Sequence, residues 1–315
     1  MKVTIAQTIG VDISKDFLDV AFHPTGETAR FANDAKGHRA LIKRLGACEV
    51  VRVVFEATGA YHRLFERTLA EAGLPLAKVN PRQARRFAQA TGKLAKTDRR
   101  DAAMLARMGS ALELQPRPIV SQTIDEMREL LNARDALIKD RVAALNRQKN
   151  VLSPLIKRQL AERLRQIDSQ IEAIDKQQKN LRSADSQIAQ RFDILTSIPG
   201  MGEITANALI AEMPELGDLE QGQAACLAGL APFAKDSGKS SAHRSIRGGR
   251  ARARKALYMP ALCAIKFNPQ CKAKYEALIK AGKAAKVAIV AVMRKLIILA
   301  NALLRDQRKW APSAP

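Results

Sequence analysis

Aromatic residues are scarce: one tryptophan, three tyrosines and nine phenylalanines make up 4% of the 315 residues. A surface that holds nucleic acid by stacking its bases needs exposed rings, so this scarcity points away from stacking as the main binding mode. Cysteine and histidine occur four times each, and Cys48, Cys226, Cys263 and Cys271 form no CxxC pair. That excludes a zinc ribbon and a disulfide scaffold, and the four read as reduced, mostly core residues of a cytosolic protein. Acidic residues number 31 against 53 lysines and arginines, a formal net charge of +22. A surplus spread along the chain repels itself unless a polyanion neutralises it, so nucleic acid is the first expected partner. Long apolar runs are also missing. The opening MKVTIAQTIG lacks a signal-peptide core, and the run from Val287 to Leu304 is interrupted by Arg294, Lys295 and Asn301, so no membrane partner is expected.

What is present falls into three parts. From residue 1 to about 118 the pattern alternates. TIGVDIS, FLDVAF and TARFAN read as short strands, Ala35–Leu45 as an amphipathic helix and VRVVFEAT as a β-branched strand. Tyr61–Ala72 reads as a helix stopped by Gly73, PLAKVN as a fifth strand, and Pro81 opens another helix. A three-strand meander followed by alternating helix and strand is the order of a ribonuclease H-like α/β sheet. Pro116 and Pro118 mark a boundary. Residues 119–190 are nearly free of glycine, with Ile124, Met127, Leu131, Ile138, Leu145 and Leu152 on a three-four seam that Arg134, Arg141 and Gln148 interrupt. Leu160, Leu164, Ile167, Ile171, Ile174, Leu181 and Ile188 repeat the spacing after Pro154, a coiled-coil or helical-hairpin arm. Such an arm serves either as an intramolecular strut or as an oligomer contact. Residues 191–315 are expected to be mostly helical. There Pro199-Gly200-Met201-Gly202 separates two apolar stretches as in a helix-hairpin-helix, where backbone N–H groups at Gly200 and Gly202 can hold a phosphate. The plainer reading of that segment is a helix-helix turn. Lys272–Lys309 reads as helical, and Trp310–Pro315 as a frayed tail.

Asp12 ends the first strand, where a carboxylate is poorly solvated unless a cation or a hydrogen-bond network compensates it. Glu56 ends the strand expected beside it. Asp98 and Asp101, three apart, share one face at the start of the helix closing the domain, with Thr97 or Asp98 as its N-cap. Singly, each is an ordinary turn, cap or salt-bridge residue. Together they would repel one another severely, and two magnesium ions about 4 Å apart would both offset the repulsion and suit phosphate displacement.

The segments GVDISKD, FEATGAYH, VNPRQARRFAQATGKLAKTDRRDAAMLA and CLAGLAPFAKDSGKSSAHRSIRGGRARARKALYMPAL resemble the DEDD-type insertion-sequence transposases, the insertion-sequence one-ten group, along essentially the whole chain. The resemblance implies a RuvC-like domain carrying Asp12, Glu56, Asp98 and Asp101, a coiled-coil arm, and a transposase domain with a serine nucleophile. That serine matches Ser237, in Asp236-Ser237-Gly238, and would hold DNA as a phosphoserine. The resemblance also implies donor and target DNA as substrates, a structured guide (bridge) RNA encoded by the element, and a dimer or tetramer working at the nucleoid. One departure concerns the loop: glycine is frequent in the family where this chain has Ala242, and Ser240, Ser241 and Ser245 lie close by, so the choice of Ser237 rests on the Asp-Ser-Gly match.

From the residues alone, the Gly229–Tyr258 stretch is a phosphate-binding segment in which Arg244, Arg247, Arg250, Arg252 and Arg254 supply bidentate donors. Lys93 and Lys96, just ahead of the acidic helix, join them as candidate nucleic-acid contacts. Two other functions fit the same residues. One is a junction nuclease using metal-activated water, with Ser237 only holding phosphate; the other is an architectural nucleic-acid binder whose acidic cluster is structural.

Overall fold

The computed structural model describes residues 6–57, 59, 61–92, 97–116, 121–234, 236, 237, 240, 241 and 244–311. Lys93 and Lys96 lie outside the described residues, as does the side chain of Ser237. The chain divides into two compact units, residues 1–119 and 120–315.

The first unit is a five-stranded mixed sheet with helices on both faces. Its strands are β1 (Gln7–Ile13), β2 (Phe17–His23), β3 (Thr28–Ala32), β4 (Val50–Glu56) and β5 (Leu76–Val79), in spatial order β3-β2-β1-β4-β5. The meander β1–β3 is antiparallel, while β4 runs parallel to β1 and β5 parallel to β4. Alternation along the strands divides the core. Ile9, Val11 and Ile13 of β1 face α1 (Ala35–Leu45) and α2 (His62–Glu71), packing with Leu41, Leu45, Phe55, Phe65 and Leu69. Val54, Ala77 and Val79 pack on the other face against Ala84 of α3 (Pro81–Ala90) and Met104, Leu105 and Met108 of α4 (Asp98–Ala111). Asn80 caps α3 by accepting from the Arg82 N–H at 2.9 Å, with Pro81 at its first position.

Two glycines decide where α4 lies. A Cβ on Gly10 of β1 would overlap the Ala102 carbonyl oxygen and the Ala106 nitrogen, and one on Gly109 would run into the Val54 and Thr8 side chains. Helix and sheet therefore meet backbone to backbone, and the Arg52 guanidinium donates to the Gly109 carbonyl at 2.7 Å. Gly109 lies over Thr8 and Ala102 over Gly10, so α4 runs opposite to β1 and its first turn reaches the end of the strand where Asp12 stands.

The second unit opens with α5 (Gln122–Asn150) and α6 (Pro154–Ala184), an antiparallel hairpin. Arg134 pairs with Asp175 at 2.7 Å and Arg141 with Asp168 at 2.6 Å, so the arginines that break the apolar seam join the two helices instead. The base of the hairpin belongs to the core: Met127 is fully buried there, with Leu131 and Leu181 packed beside it. Leu152 does not join the seam; it lies past the end of α5 and is 90% exposed. Next come α7 (Ser186–Thr196), α8 (Glu203–Glu212) and α9 (Gln221–Leu227). Two short ladders follow, formed by β6 (Pro232–Phe233) with β9 (Ser245–Ile246) and by β7 (Asp236–Ser237) with β8 (Ser240–Ser241). The unit closes with α10 (Ala251–Ala256), α11 (Tyr258–Phe267), α12 (Pro269–Lys280) and α13 (Ala285–Arg305).

The Lys272–Lys309 segment is helical and divides in two, because Gly282, at φ +73°, lets the chain leave α12 through a left-handed turn. Two expectations are corrected here. Trp310 is not frayed: its N–H donates to the Ser197 hydroxyl at 2.8 Å and its ring packs on the core. By length and composition α13 could cross a membrane, despite the polar residues within it. Its Val292, Met293, Leu296, Ile297, Ala300, Leu303 and Leu304 are nevertheless buried in the protein core, and buried Asn301 accepts from the Gly217 N–H at 2.9 Å and donates to the Leu219 carbonyl at 2.6 Å.

Candidate functional site: a carboxylate row at one sheet edge

Asp12 and Asp19 are register partners across β1 and β2, and Asp19 and Arg30 are register partners across β2 and β3. Val11 pairs with Phe55 in the parallel ladder, so the next residue along each strand brings Glu56 beside Asp12. Residues in register on neighbouring strands share a face. The row Arg30, Asp19, Asp12, Glu56 therefore crosses four strands on the side covered by α4, whose first turn carries Asp98 and Asp101. Thr97 stands at the helix N-cap with an extended backbone, and two carboxylates in the first turn suit the positive end of the helix dipole.

The electrostatics show that these acids sense one another. The carboxyl of half-buried Asp12 is pushed up to about 6, first by burial and then by the charges of Asp101, Asp98, Glu56 and Asp19. The four acids expected to act together are thus brought to one edge. Asp19 is a fifth member that sequence reasoning missed. It is buried, and Arg30 clasps it with two hydrogen bonds of 3.0 and 2.8 Å while standing 3.7 Å from the exposed Asp98. The Arg30 guanidinium also lies 5.3 Å from the Phe17 ring centroid. The signal was present in FLDVAF: an acid at an inward-facing strand position, opposite Asp12 once β1 and β2 pair as a hairpin.

As arranged, no three His, Cys, Asp or Glu side chains among the described residues are gathered closely enough to enclose an ion. The donor chemistry still fits a hard divalent cation, because every candidate ligand is a carboxylate oxygen and Asp12 carries an uncompensated cost of ionisation.

In the second unit, Ser237 is in register with Ser240 and Asp236 with Ser241 in the β7–β8 ladder. The arginines that follow divide by role. Arg250 grips Glu215 through both carboxylate oxygens, at 2.6 and 2.7 Å, and also donates to the Glu212 carbonyl. Arg254 donates to the Gly248 and Gly229 carbonyls at 2.8 and 3.3 Å, closing the turn where Gly229 and Gly249 approach with no room for a Cβ. These two hold the protein together. Arg252 stands 3.5 Å from Glu212 but is half exposed, Arg244 is exposed, and exposed Arg247 lies 5.5 Å from the Phe233 ring centroid. Gly200, at φ +93°, packs against Pro260 and Ala264 of α11, so its role is close packing; Gly202, at the N-cap of α8, is open.

Comparison with known proteins finds relatives along most of the chain. A DEDD-type transposase family model matches residues 9–156, and the model described as transposase IS116/IS110/IS902 family matches residues 192–276. The chain is 30% identical to the pilin gene-inverting protein of Moraxella lacunata, across 96% of this chain and 97% of that one. It is 26% identical to an uncharacterized 44.8 kDa protein of insertion element IS116 from Streptomyces clavuligerus, across 98% and 96% of the two chains. With the transposase for insertion sequence element IS1111A of Coxiella burnetii it shares 23% identity over 73% of its own length and 70% of the relative's. A carboxylate row at a sheet edge, a basic chain and these likenesses place the protein in one group: it belongs to the IS110/IS116 family of transposases, enzymes that act on DNA.

Proposed function

We propose that the protein cuts and rejoins DNA by phosphoryl transfer, with Asp12, Glu56, Asp98 and Asp101 holding two Mg2+ ions and Ser237 as the nucleophile. The supporting observation is the Asp12 carboxyl, raised to about 6 by burial and by the three acids converging on it from β4 and α4. When bound, the ions supply Lewis-acid stabilisation of the charge that develops on the phosphate oxygens. Asp12 and Glu56 provide the rigid ligands, fixed by neighbouring strands, and Asp98 and Asp101 the ligands set by the close seating of α4. Arg30 fixes the end of the row by holding Asp19 through two hydrogen bonds.

The Ser237 hydroxyl attacks the scissile phosphorus; the new O–P bond replaces a P–O bond to deoxyribose, whose oxygen gains a proton as the serine loses one. Attack by another strand's hydroxyl reverses the exchange and reseals the backbone. Arg244, Arg247 and Arg252 remain as phosphate donors for that segment. Likeness across nearly the full length to a protein named for inverting a gene supports rejoining rather than cutting alone, because an inverted segment must be resealed at every break. The strand order β3-β2-β1-β4-β5 supports the ribonuclease H or RuvC-like assignment of the first unit. Guidance by an element-encoded RNA and work as a dimer or tetramer belong to the same reading; the excess of basic side chains would serve RNA and DNA backbones alike.

The test is a trapping reaction with end-labelled donor DNA, the co-expressed flanking RNA and Mg2+. A denaturant-resistant protein–DNA adduct that is lost in both Ser237→Ala and Asp12→Asn supports the proposal. Cleavage without an adduct, insensitive to Ser237→Ala, would replace the serine with metal-activated water.

A further inference from the structure

The α5–α6 hairpin ends in a tip whose composition differs from the rest of the arm. From Arg141 to Ala161 the sequence holds five basic residues, Arg141, Arg147, Lys149, Lys157 and Arg158, and no acid. Arg141 is engaged by Asp168, but the other four are exposed, and none has an ion-pair partner among the described residues. Closer to the base, the hairpin carries matched charges, as in the Arg134–Asp175 pair.

The same tip leaves its apolar side chains outside. Ala144 and Leu160 close the hairpin and are buried, whereas Leu152 is 90% exposed, Leu155 55% and Ile156 44%. Asn150 ends α5 and Pro154 starts α6, so these three residues lie in the connecting turn and the first turn of α6, with Lys149 and Arg147 before them and Lys157 and Arg158 after them. A solvated tip does not need this combination. Exposed cations on both sides of a turn with exposed apolar residues and no acid match a polyanion that also offers an apolar surface.

We propose that the tip of the arm is a duplex-DNA contact, in which Arg147, Lys149, Lys157 and Arg158 straddle phosphates and Leu152, with Leu155 and Ile156, wedges against a base step from the minor groove. Apolar wedges flanked by cations are an established way to unstack a step and bend a duplex. The inference rests on the DNA-acting family and not on the metal or serine chemistry; binding is therefore measured without divalent ions, so either reading can fail alone.

The experiment uses the full chain and a fluorescein-labelled duplex with 2-aminopurine at internal steps, titrated at several salt concentrations. Replacing Arg147, Lys149, Lys157 and Arg158 by glutamine should weaken binding at least about tenfold at physiological salt and reduce the slope of log affinity against log salt by about 3 to 4. The Leu152→Ser/Leu155→Ser/Ile156→Ser variant should keep the wild-type slope and lose the 2-aminopurine fluorescence rise that reports unstacking. Its positions are solvent-exposed, and unchanged helix content by circular dichroism verifies folding. Unchanged affinity and slope in the charge variant would overturn the proposal. So would an apolar variant that alters only sedimentation, which would make the tip a protein contact, or a tip dependence larger for an RNA duplex than for DNA. Wild-type protein that binds no duplex, with or without the co-expressed flanking RNA, would also overturn it.

Discussion

Replacing Asp12 by asparagine should stabilise the first unit of the metal-free protein while abolishing its activity. In the folded chain the Asp12 carboxyl is raised from 3.8 to about 6, chiefly by burial and then by Asp101, Asp98, Glu56 and Asp19. Between those two values the folded state holds a proton that the unfolded state has already released. Stability therefore falls as pH rises through the window from about 4 to about 6, and the loss is complete above it. Unscreened, the cost of ionisation is about 3 kcal/mol; because the group is only half-buried, solvent screening lowers it to about 1–2 kcal/mol. Asparagine keeps the shape and carries no such cost. The single tryptophan, Trp310, packs in the second unit and does not report on the first. The assay is therefore amide hydrogen exchange of peptides covering β1 and β4, in chelator, at several pH values corrected for intrinsic exchange. Protection of the variant over wild type should be absent near pH 4 and grow to about 5- to 30-fold by pH 7. Adding Mg2+ should shrink the gap by stabilising wild type alone. A gap independent of pH, or a variant less stable than wild type at pH 7, would refute the reasoning.

Two further substitutions probe how the row is assembled. Gly10→Ala places a methyl against the backbone of α4, where no rotamer relieves it, and should cost about 3 kcal/mol, at the top of the overpacking range. DNA cleavage should be lost at temperatures where the variant remains folded by hydrogen exchange, because the turn carrying Asp98 and Asp101 is pushed away from Asp12. Arg30→Gln strands the buried Asp19 carboxylate. It should lower the denaturation midpoint, and the Asp19→Asn/Arg30→Gln double variant should recover most of the loss; a surface ion pair of no consequence would show neither effect.

Much of the first unit could be read directly from the sequence, for physical reasons that apply locally. β-Branched runs mark β1 and β4, Gly73 ends the helix before β5, and Asn80-Pro81 starts α3 with a cap and a preset φ. The four acids stood out because two strands carried carboxylates at their ends and one helix began with them. Asp19 escaped because its meaning depends on pairing: it is an ordinary strand residue until β1 and β2 come into register and set it beside Asp12. The closeness of α4 to the sheet was equally hidden, since Gly10 and Gly109 serve contacts between segments about a hundred residues apart. In the second unit the basic stretch misled by its density. Arg250 and Arg254 face inward to Glu215 and to the Gly229 and Gly248 carbonyls, and only tertiary structure separates them from Arg244 and Arg247. Seam periodicity gave the hairpin, and it overran at Leu152 because a heptad count does not register where Asn150 and Pro154 turn the chain.

The most direct measurement loads the full-length protein with Fe2+ in place of Mg2+ and lets ascorbate and peroxide cut the backbone around the bound ion. Cuts clustered near residues 12, 56 and 98–101 together, competed by Mg2+ and lost in Asp12→Asn, are what a shared cation pocket built by β1, β4 and α4 predicts. Cuts at one of these segments alone, or a pattern unchanged in Asp12→Asn, would contradict it.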